Sequence, residues 1–172
     1  MKSDRGFTLI ELLIVIAIVS VVAAIAVPGL LRARMTGNET SAIGSLRVTT
    51  AAQVAYAAAC GNGGYAASYV VLGDPIVVGS EAFISSDLGL AATPQKSGYD
   101  FTLGAGAAGA AVPDCKARVT NAGYYATAVP VSFGMTGTRA FAVNSGGAIW
   151  QSSTAVAPGE PFTAGPTVTP IQ

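Results

Sequence analysis

Few side chains in this sequence have the types and spacing that chemistry requires. The chain has no histidine, so the commonest general base and the commonest metal ligand are both absent. Serine and threonine are plentiful, but no general base accompanies them in the pattern that activates a hydroxyl nucleophile. Two cysteines are too few ligands for a structural zinc ion. We therefore predict that the protein is not an enzyme and uses no metal and no cofactor.

The two cysteines, Cys60 and Cys115, lie far apart in the sequence and do not form a Cys-x-x-Cys pair. If the bulk of the chain is exported, each has only the other as an intramolecular partner, and a disulfide is expected. If it is not exported, they are two buried reduced thiols. A disulfide here would stabilise the fold by about 2–4 kcal/mol.

Residues 104–109 spell Gly-x-Gly-x-x-Gly after a predicted strand. A dinucleotide site would also need a helix after the glycines and an acidic residue about 20 positions further on. Pro113 ends any such helix after a few residues, and no acid lies near that distance. The glycines therefore predict a turn of small residues.

Charge is sparse and balanced, with nine basic and nine acidic residues and 51% hydrophobic residues. A nucleic-acid binder needs a basic stripe or patch, so nucleic acid is not expected as a partner. Lys96 and Lys116 are predicted to be solvated surface charges, and Asp114 to be an ordinary loop acid.

An apolar run from residue 7 to residue 27 is interrupted only by Thr8, Glu11 and Ser20. As a helix it would be about 30 Å long, which is one hydrocarbon thickness. A plain signal anchor accounts for this length but not for Glu11, because a carboxylate within a membrane helix is costly and usually functional. A secretory signal peptide cut after Ala26 would release a soluble domain, but its apolar region is usually shorter and carries no acid.

In a third interpretation the cut falls between Gly6 and Phe7 and leaves the helix on the mature protein. The charged leader M-K-S-D-R-G, the run F-T-L-I-E-L-L-I-V-I-A-I-V and a later Pro28 resemble the prepilin signature of type IV pilins and type II secretion pseudopilins. The resemblance implies cleavage by a prepilin peptidase and N-methylation of Phe7. It also implies assembly through Phe7, Glu11 and Pro28.

Cleavage after Gly6 would give Phe7 a new α-amino group, which is cationic near neutral pH. Our hypothesis is that the amine of an incoming chain neutralises Glu11 of a neighbour inside an apolar filament core. Only one axial offset brings these charges together, and breaking such a buried pair costs about 3–5 kcal/mol. The pair would therefore set the register of assembly.

The implied function is a structural subunit of a type IV pilus or pilus-like filament, a helical homopolymer that serves adhesion, motility, DNA uptake or secretion. Expected partners are copies of itself, the prepilin peptidase, the assembly platform with its ATPase, and the inner membrane before assembly. The head would lie in the periplasm and then in the extracellular filament. The alternatives are a secretion pseudopilin, whose major type carries an acidic calcium site late in the head, and a minor tip pilin that acts as a binding module for DNA or surfaces. Arg118 and Arg139 would contribute to the exposed patch of such a module. A soluble domain cut after Ala26 also stays open.

The sequence predicts an α+β fold in which a long N-terminal helix carries an antiparallel sheet of about four strands. The predicted divisions are a leader (1–6), a membrane helix (7–27), an amphipathic continuation (28–60), a connecting region (61–98), the sheet (99–152) and a mobile tail (153–172). We favour one bent helix that ends near Cys60, although Pro28 could start a second helix and Thr36-Gly37-Asn38-Glu39 fits a capping box.

Strand signals occur at residues 99–103, 124–131, 139–143 and 148–151, the last two flanking a turn-rich Asn144-Ser145-Gly146-Gly147. Their order resembles, more weakly, the small head of G-like pilins and pseudopilins. Cys115 lies between the first two strands, so a disulfide to Cys60 would tie that loop to the end of the helix.

Overall fold

The longest element, α1, spans Leu9–Ala59 without interruption. The structure, a computed structural model, describes residues 7–106 and 112–171. By internal contacts the chain forms two units, Met1–Arg34 and Met35–Gln172. Pro28 and Gly37 both lie inside α1, so a second helix starting at Pro28 and a restart at Gly37 are wrong, and the single helix is confirmed.

The helix ends at a cluster of glycines. The N–H groups of Cys60 and Gly61 both donate to the Tyr56 carbonyl, at 2.9 and 2.8 Å. Asn62 and Gly63 then take positive φ angles of 50° and 85°, which are typical of a helix C-terminus. The predicted end near Cys60 is confirmed.

Two short helices follow, α2 (Tyr69–Gly73) and α3 (Ser86–Gly89). They cross where two glycines meet, since a Cβ on Gly73 would lie 2.3 Å from the Gly89 carbonyl oxygen. Only glycine permits so close an approach of two backbones. The predicted connecting region is thus more ordered than its composition suggested.

Within residues 7–106 and 112–171, six antiparallel strands form one sheet in which strand order equals chain order. Each strand pairs with the next, so short connections are sufficient. The strands are β1 (Gln95–Lys96), β2 (Tyr99–Ala105), β3 (Tyr124–Pro130), β4 (Ala140–Asn144), β5 (Ile149–Ser152) and β6 (Val168–Pro170).

The four predicted strands correspond to β2 to β5, within one or two residues at each end. The turn between β4 and β5 is the predicted one, with the Gly147 N–H donating to the Asn144 carbonyl at 2.9 Å. β1 and β6 were not predicted. With two and three residues they are too short to show an alternating pattern.

The core lies between α1 and one face of the sheet. Leu46 and Tyr56 of α1 are fully buried, as are Tyr99, Phe101 and Phe141 of the sheet. Residues buried on α1 recur every three or four positions, while β2 buries alternate residues. The helix therefore rests one stripe on one side of the sheet.

The C-terminal tail covers part of the opposite face of the sheet. Phe162 stacks on Trp150 of β5, with ring centroids 5.5 Å apart, and the Tyr125 hydroxyl donates to the Pro158 carbonyl at 2.5 Å. Ala142 of β4 is consequently buried although it points away from α1. We predicted an extended, mobile tail, whereas the structure shows it packed on the sheet and contributing β6.

Candidate assembly site

The N-terminal part of α1 exposes nearly all of its apolar surface. Every large hydrophobic side chain between residues 9 and 31 is exposed; Ile25, for example, is 77% exposed. Among the residues that the structure describes, α1 is the one helix long and apolar enough to cross a membrane. So large an apolar surface requires lipid or other protein chains to cover it.

Thr8 and Glu11 form the start of this helix. The Thr8 hydroxyl oxygen accepts the Glu11 backbone N–H at 3.3 Å and donates to the Glu11 carboxylate at 3.5 Å. This satisfies one of the free N–H groups of the first turn, as N-cap residues do. The Thr-x-x-Glu spacing is the sequence signature of this arrangement, in addition to the charge of Glu11.

Glu11 is exposed and forms no ion pair within the described residues. Phe7 is 80% exposed, whereas Gly6 and the rest of the leader lie outside the described residues. Ser20, the other polar residue of the run, donates its hydroxyl to the Ile16 carbonyl at 2.7 Å. Glu11 is therefore the polar group of this segment that can still take a partner from outside the chain.

A buried acid fixes the head unit to its part of α1. Glu39 is 4% exposed and accepts the Thr138 N–H and hydroxyl, each at 2.8 Å. Its other oxygen accepts two N–H groups of Arg139, at 2.9 and 2.6 Å. Burial alone would raise the pKa of Glu39, but these hydrogen bonds and the charge of Arg139 outweigh it and lower the pKa.

The same contacts explain why the capping box at residues 36–39 was wrong. Glu39 does not reach back along the helix but points toward Thr138 and Arg139, the two residues before β4 and about a hundred positions away. Its neighbour Asn38 does likewise, donating to the Thr136 carbonyl at 2.9 Å.

The predicted disulfide between Cys60 and Cys115 is confirmed, with Cα atoms 4.9 Å apart. The Cys115 N–H also donates to the Cys60 carbonyl at 2.8 Å. Cys60 directly follows α1 and Cys115 lies between β2 and β3. The bond thus ties the segment between β2 and β3 to the end of the helix, as the sequence predicted.

Asp114, beside this disulfide, is 5% exposed and is not the ordinary loop acid that we predicted. It accepts the Tyr56 hydroxyl and the Arg118 Nε–H, both at 2.7 Å. It also accepts the backbone N–H groups of Lys116 and Arg118, at 2.9 and 2.7 Å.

These bonds decide the charge of Asp114. Burial would raise its pKa, but the hydrogen bonds from Tyr56, Arg118 and Lys116 lower the pKa to about 2. Burial and the hydrogen bond to Asp114 raise the pKa of the Tyr56 hydroxyl to about 12. At neutral pH the site therefore holds one buried carboxylate and one neutral phenol.

The basic residues of the head are used internally. Arg118 bonds to Asp74 at 2.7 Å in addition to Asp114, and Arg139 is held by Glu39. Lys116 pairs with Asp74 at 2.7 Å, and Lys96 pairs with Asp87 at 2.5 Å. Both lysines lie at the surface, as predicted, but each forms an ion pair. The two arginines suggested for a binding patch also form ion pairs within the chain.

The described ranges 7–106 and 112–171 contain no cluster of three or more histidine, cysteine, aspartate or glutamate residues suited to a metal ion. β2 enters the Gly-x-Gly-x-x-Gly stretch, but residues 107–109 lie outside the described part of the chain.

Comparison with known proteins identifies a motif at the N-terminus. Residues 1–27 match the family model of the prokaryotic N-terminal methylation motif. The chain is also similar to the type IV wide pilus major component PilA4 of Thermus thermophilus, with 58% identity over 40 residues. That alignment covers 23% of this chain and 30% of the Thermus protein. No solved structure matches the chain.

A methylation-motif N-terminus, an exposed apolar helix and an antiparallel sheet packed on the helix are the features of a pilin-like protein. Both similarities are to type IV pilins or their N-terminal motif, and the chain spans less than a third of the length of the Thermus pilin that it matches.

Proposed function

We propose that this chain is a structural subunit of a type IV pilus or pilus-like filament. Prepilin peptidase would cut between Gly6 and Phe7, and Phe7 would be N-methylated. The observation that carries the proposal is the exposed apolar segment of α1, most of which lies within the methylation motif at residues 1–27 and which continues into a disulfide-closed head.

The exposed segment supports polymerisation because it suits two environments in turn. In a bilayer its side chains contact lipid, and in a filament they contact the same segment of neighbouring copies. The apolar surface is buried in both states. The balance between bilayer and filament therefore depends on packing between helices and on whether the Glu11 carboxylate has a partner. A carboxylate at the centre of a membrane helix costs about 2.5–3.5 kcal/mol on insertion scales, and Glu11, in the first turn, would cost less.

Glu11 and the mature N-terminus supply the polar part of assembly. The carboxylate has one hydrogen bond within its own chain and no cation among the described residues, so it can accept the amine of another copy. Pairing Glu11 with the Phe7 amine of a neighbour would relieve the cost of the acid and set the axial register. Pro28 lies inside α1, where the missing N–H locally weakens the helix and allows it to adjust on packing.

Before assembly the subunit would sit in the inner membrane with its head in the periplasm. An assembly platform and its ATPase would then add it to an extracellular filament. The internal ion pairs of Arg118 and Arg139 support a role in the filament body over a tip pilin that binds ligands through those two residues. Abundance in filaments sheared from cells would separate a major pilin from a minor pilin or a pseudopilin.

The proposal is tested by the mass of the mature chain together with the yield of sheared filaments. We expect a mature chain that begins at N-methylated Phe7 and is recovered in filaments. Glu11→Val should be cleaved and inserted normally but should assemble at least about tenfold less well, because the register pair is missing.

Glu11→Asp is the matched control, since it keeps the charge and should retain part of the assembly. A mature chain that begins at Val27 would contradict the proposal as a whole. A Glu11→Val filament of wild-type yield and symmetry would contradict the role of Glu11 alone.

A further inference from the structure

Two charged side chains of the head stand out because they have no partner. Within the described part of the unit that begins at Met35, every other charged side chain makes an ion pair or a side-chain hydrogen bond. Arg47 on α1 and Glu81 in the loop after α2 make neither, and both are exposed. The paired or hydrogen-bonded side chains are Glu39, Asp74, Asp87, Lys96, Asp100, Asp114, Lys116, Arg118, Arg139 and Glu160.

Arg47 lies on the face of α1 that points away from the sheet. Its helix neighbours Leu46 and Thr49 are buried in the core, whereas Val48 and Val54 are 49% and 59% exposed. We call Arg47, Val48, Ala51 and Val54 the arginine face. It combines one unpaired cation with exposed apolar side chains.

Glu81 ends a short, well-defined turn. Ser80 closes this turn by donating its N–H and its hydroxyl to the Val77 carbonyl, at 3.0 and 2.9 Å, and Gly79 provides a φ of +90°. Val77 and Val78 are 65% and 100% exposed. We call residues 77–81 the valine turn. It combines one unpaired anion with two exposed valines, held by hydrogen bonds rather than left as a loose loop.

We infer that the arginine face of one copy binds the valine turn of a second copy, with Arg47 and Glu81 forming an ion pair across the contact. The two surfaces carry opposite unpaired charges and adjacent apolar side chains, and the two charges do not meet within one chain. This inference rests on the proposed polymerisation of the chain.

The arrangement favours an open assembly. The two surfaces are different parts of the same chain, so their contact is heterologous: each copy uses its arginine face toward one neighbour and its valine turn toward another. Heterologous contacts that do not close into a ring generate helical filaments. The ion pair would add specificity and orientation to the packing of the apolar N-terminal segments.

The test is a charge reversal and a charge swap, read as filament yield from cells. Arg47→Glu and Glu81→Arg should each reduce the yield about tenfold, because each places like charges in contact between copies. The double variant R47E/E81R should recover about half of the wild-type yield or more, since it restores opposite charges at coupled positions. Asp100→Arg, a partly exposed acid of β2, is the matched control and should assemble nearly as the wild type does.

A bis-maleimide cross-link gives a direct readout. The native cysteines are joined in a disulfide and do not react. A chain with Arg47→Cys and Glu81→Cys should give a ladder of multimers from intact filaments, whereas either single variant should not. Unchanged thermal unfolding of the monomers would show that the substitutions act between copies.

Wild-type filament yield for R47E or for E81R would overturn the inference, as would rescue of R47E by D100R instead of E81R. Absence of filaments from the wild-type chain with a correct mature N-terminus would instead contradict the proposed function. The two failures are therefore distinguishable.

Discussion

Replacing Asp114 by asparagine removes one buried negative charge while keeping the size of the side chain. Asp114 accepts four hydrogen bonds, from Tyr56, from the side chain and backbone of Arg118 and from the backbone of Lys116. An asparagine keeps one acceptor oxygen, which can serve the two backbone N–H groups. Its amide group then meets the Arg118 Nε–H with a donor in place of an acceptor.

The size of the effect follows from the pKa of the carboxyl. In the folded protein the pKa of Asp114 is about 2, against an ordinary value of 3.8. This difference corresponds to about 2 kcal/mol of stability at neutral pH. Because asparagine resembles the protonated acid, Asp114→Asn should lower the free energy of unfolding by about the same amount, about 2 kcal/mol, or roughly 5–10 °C in Tm for a head of this size.

The assay is unfolding of the full chain in detergent, followed by the fluorescence of Trp150, the only tryptophan and a residue of β5. Asp74→Asn is the matched control. It removes a carboxylate from the same network, but the Asp74 side chain is 44% exposed, so the loss of stability should be clearly smaller.

The pH dependence gives a second measurement of the same carboxyl. As pH falls below about 4, Asp114 takes up a proton in the unfolded chain but stays ionised in the folded chain until about pH 2. The wild type should therefore lose stability in this range and approach Asp114→Asn. Equal stabilities at neutral pH, or a gap that stays constant down to pH 2.5, would refute the reasoning.

Two further predictions concern the head. Glu39→Gln should lower its free energy of unfolding by about 2 kcal/mol, because Arg139 would lose its ion pair and keep a hydrogen bond to the neutral Gln151. Chemical denaturation should show a lower midpoint, and an unchanged midpoint would argue against the importance of the ion pair. Replacing Cys60 and Cys115 together by serine should cost about 2–4 kcal/mol, with a matching fall in Tm, whereas an equal Tm would show that the loop needs no covalent link.

Glu39 and Asp114 have similar surroundings in the fold, although they lie far apart in the sequence. Each is a buried carboxylate that an arginine and backbone N–H groups keep ionised. One fixes β4 near the start of the head part of α1, and the other fixes the disulfide loop near the end of that helix.

Local features of the sequence determined much of this protein. The methylation motif, the length of the apolar run and the acidic Glu11 within it can all be recognised from contiguous residues of the sequence. The alternating strands from Tyr99 to Ser152 and the glycine-rich end of α1 are also local patterns, and the structure confirms them. The disulfide could be predicted because two cysteines allow a single pairing.

Only the tertiary structure decided which polar residues matter in the head. Asp114 and Glu39 looked like a loop acid and a capping residue because their partners lie elsewhere in the chain, 58 and 100 positions away for Tyr56 and Arg139. The tail was misjudged for the same reason: its composition is that of a linker, but Phe162 finds a surface on Trp150 once the sheet has formed. Ion pairs and covering segments depend on distances in space, which a one-dimensional pattern does not contain.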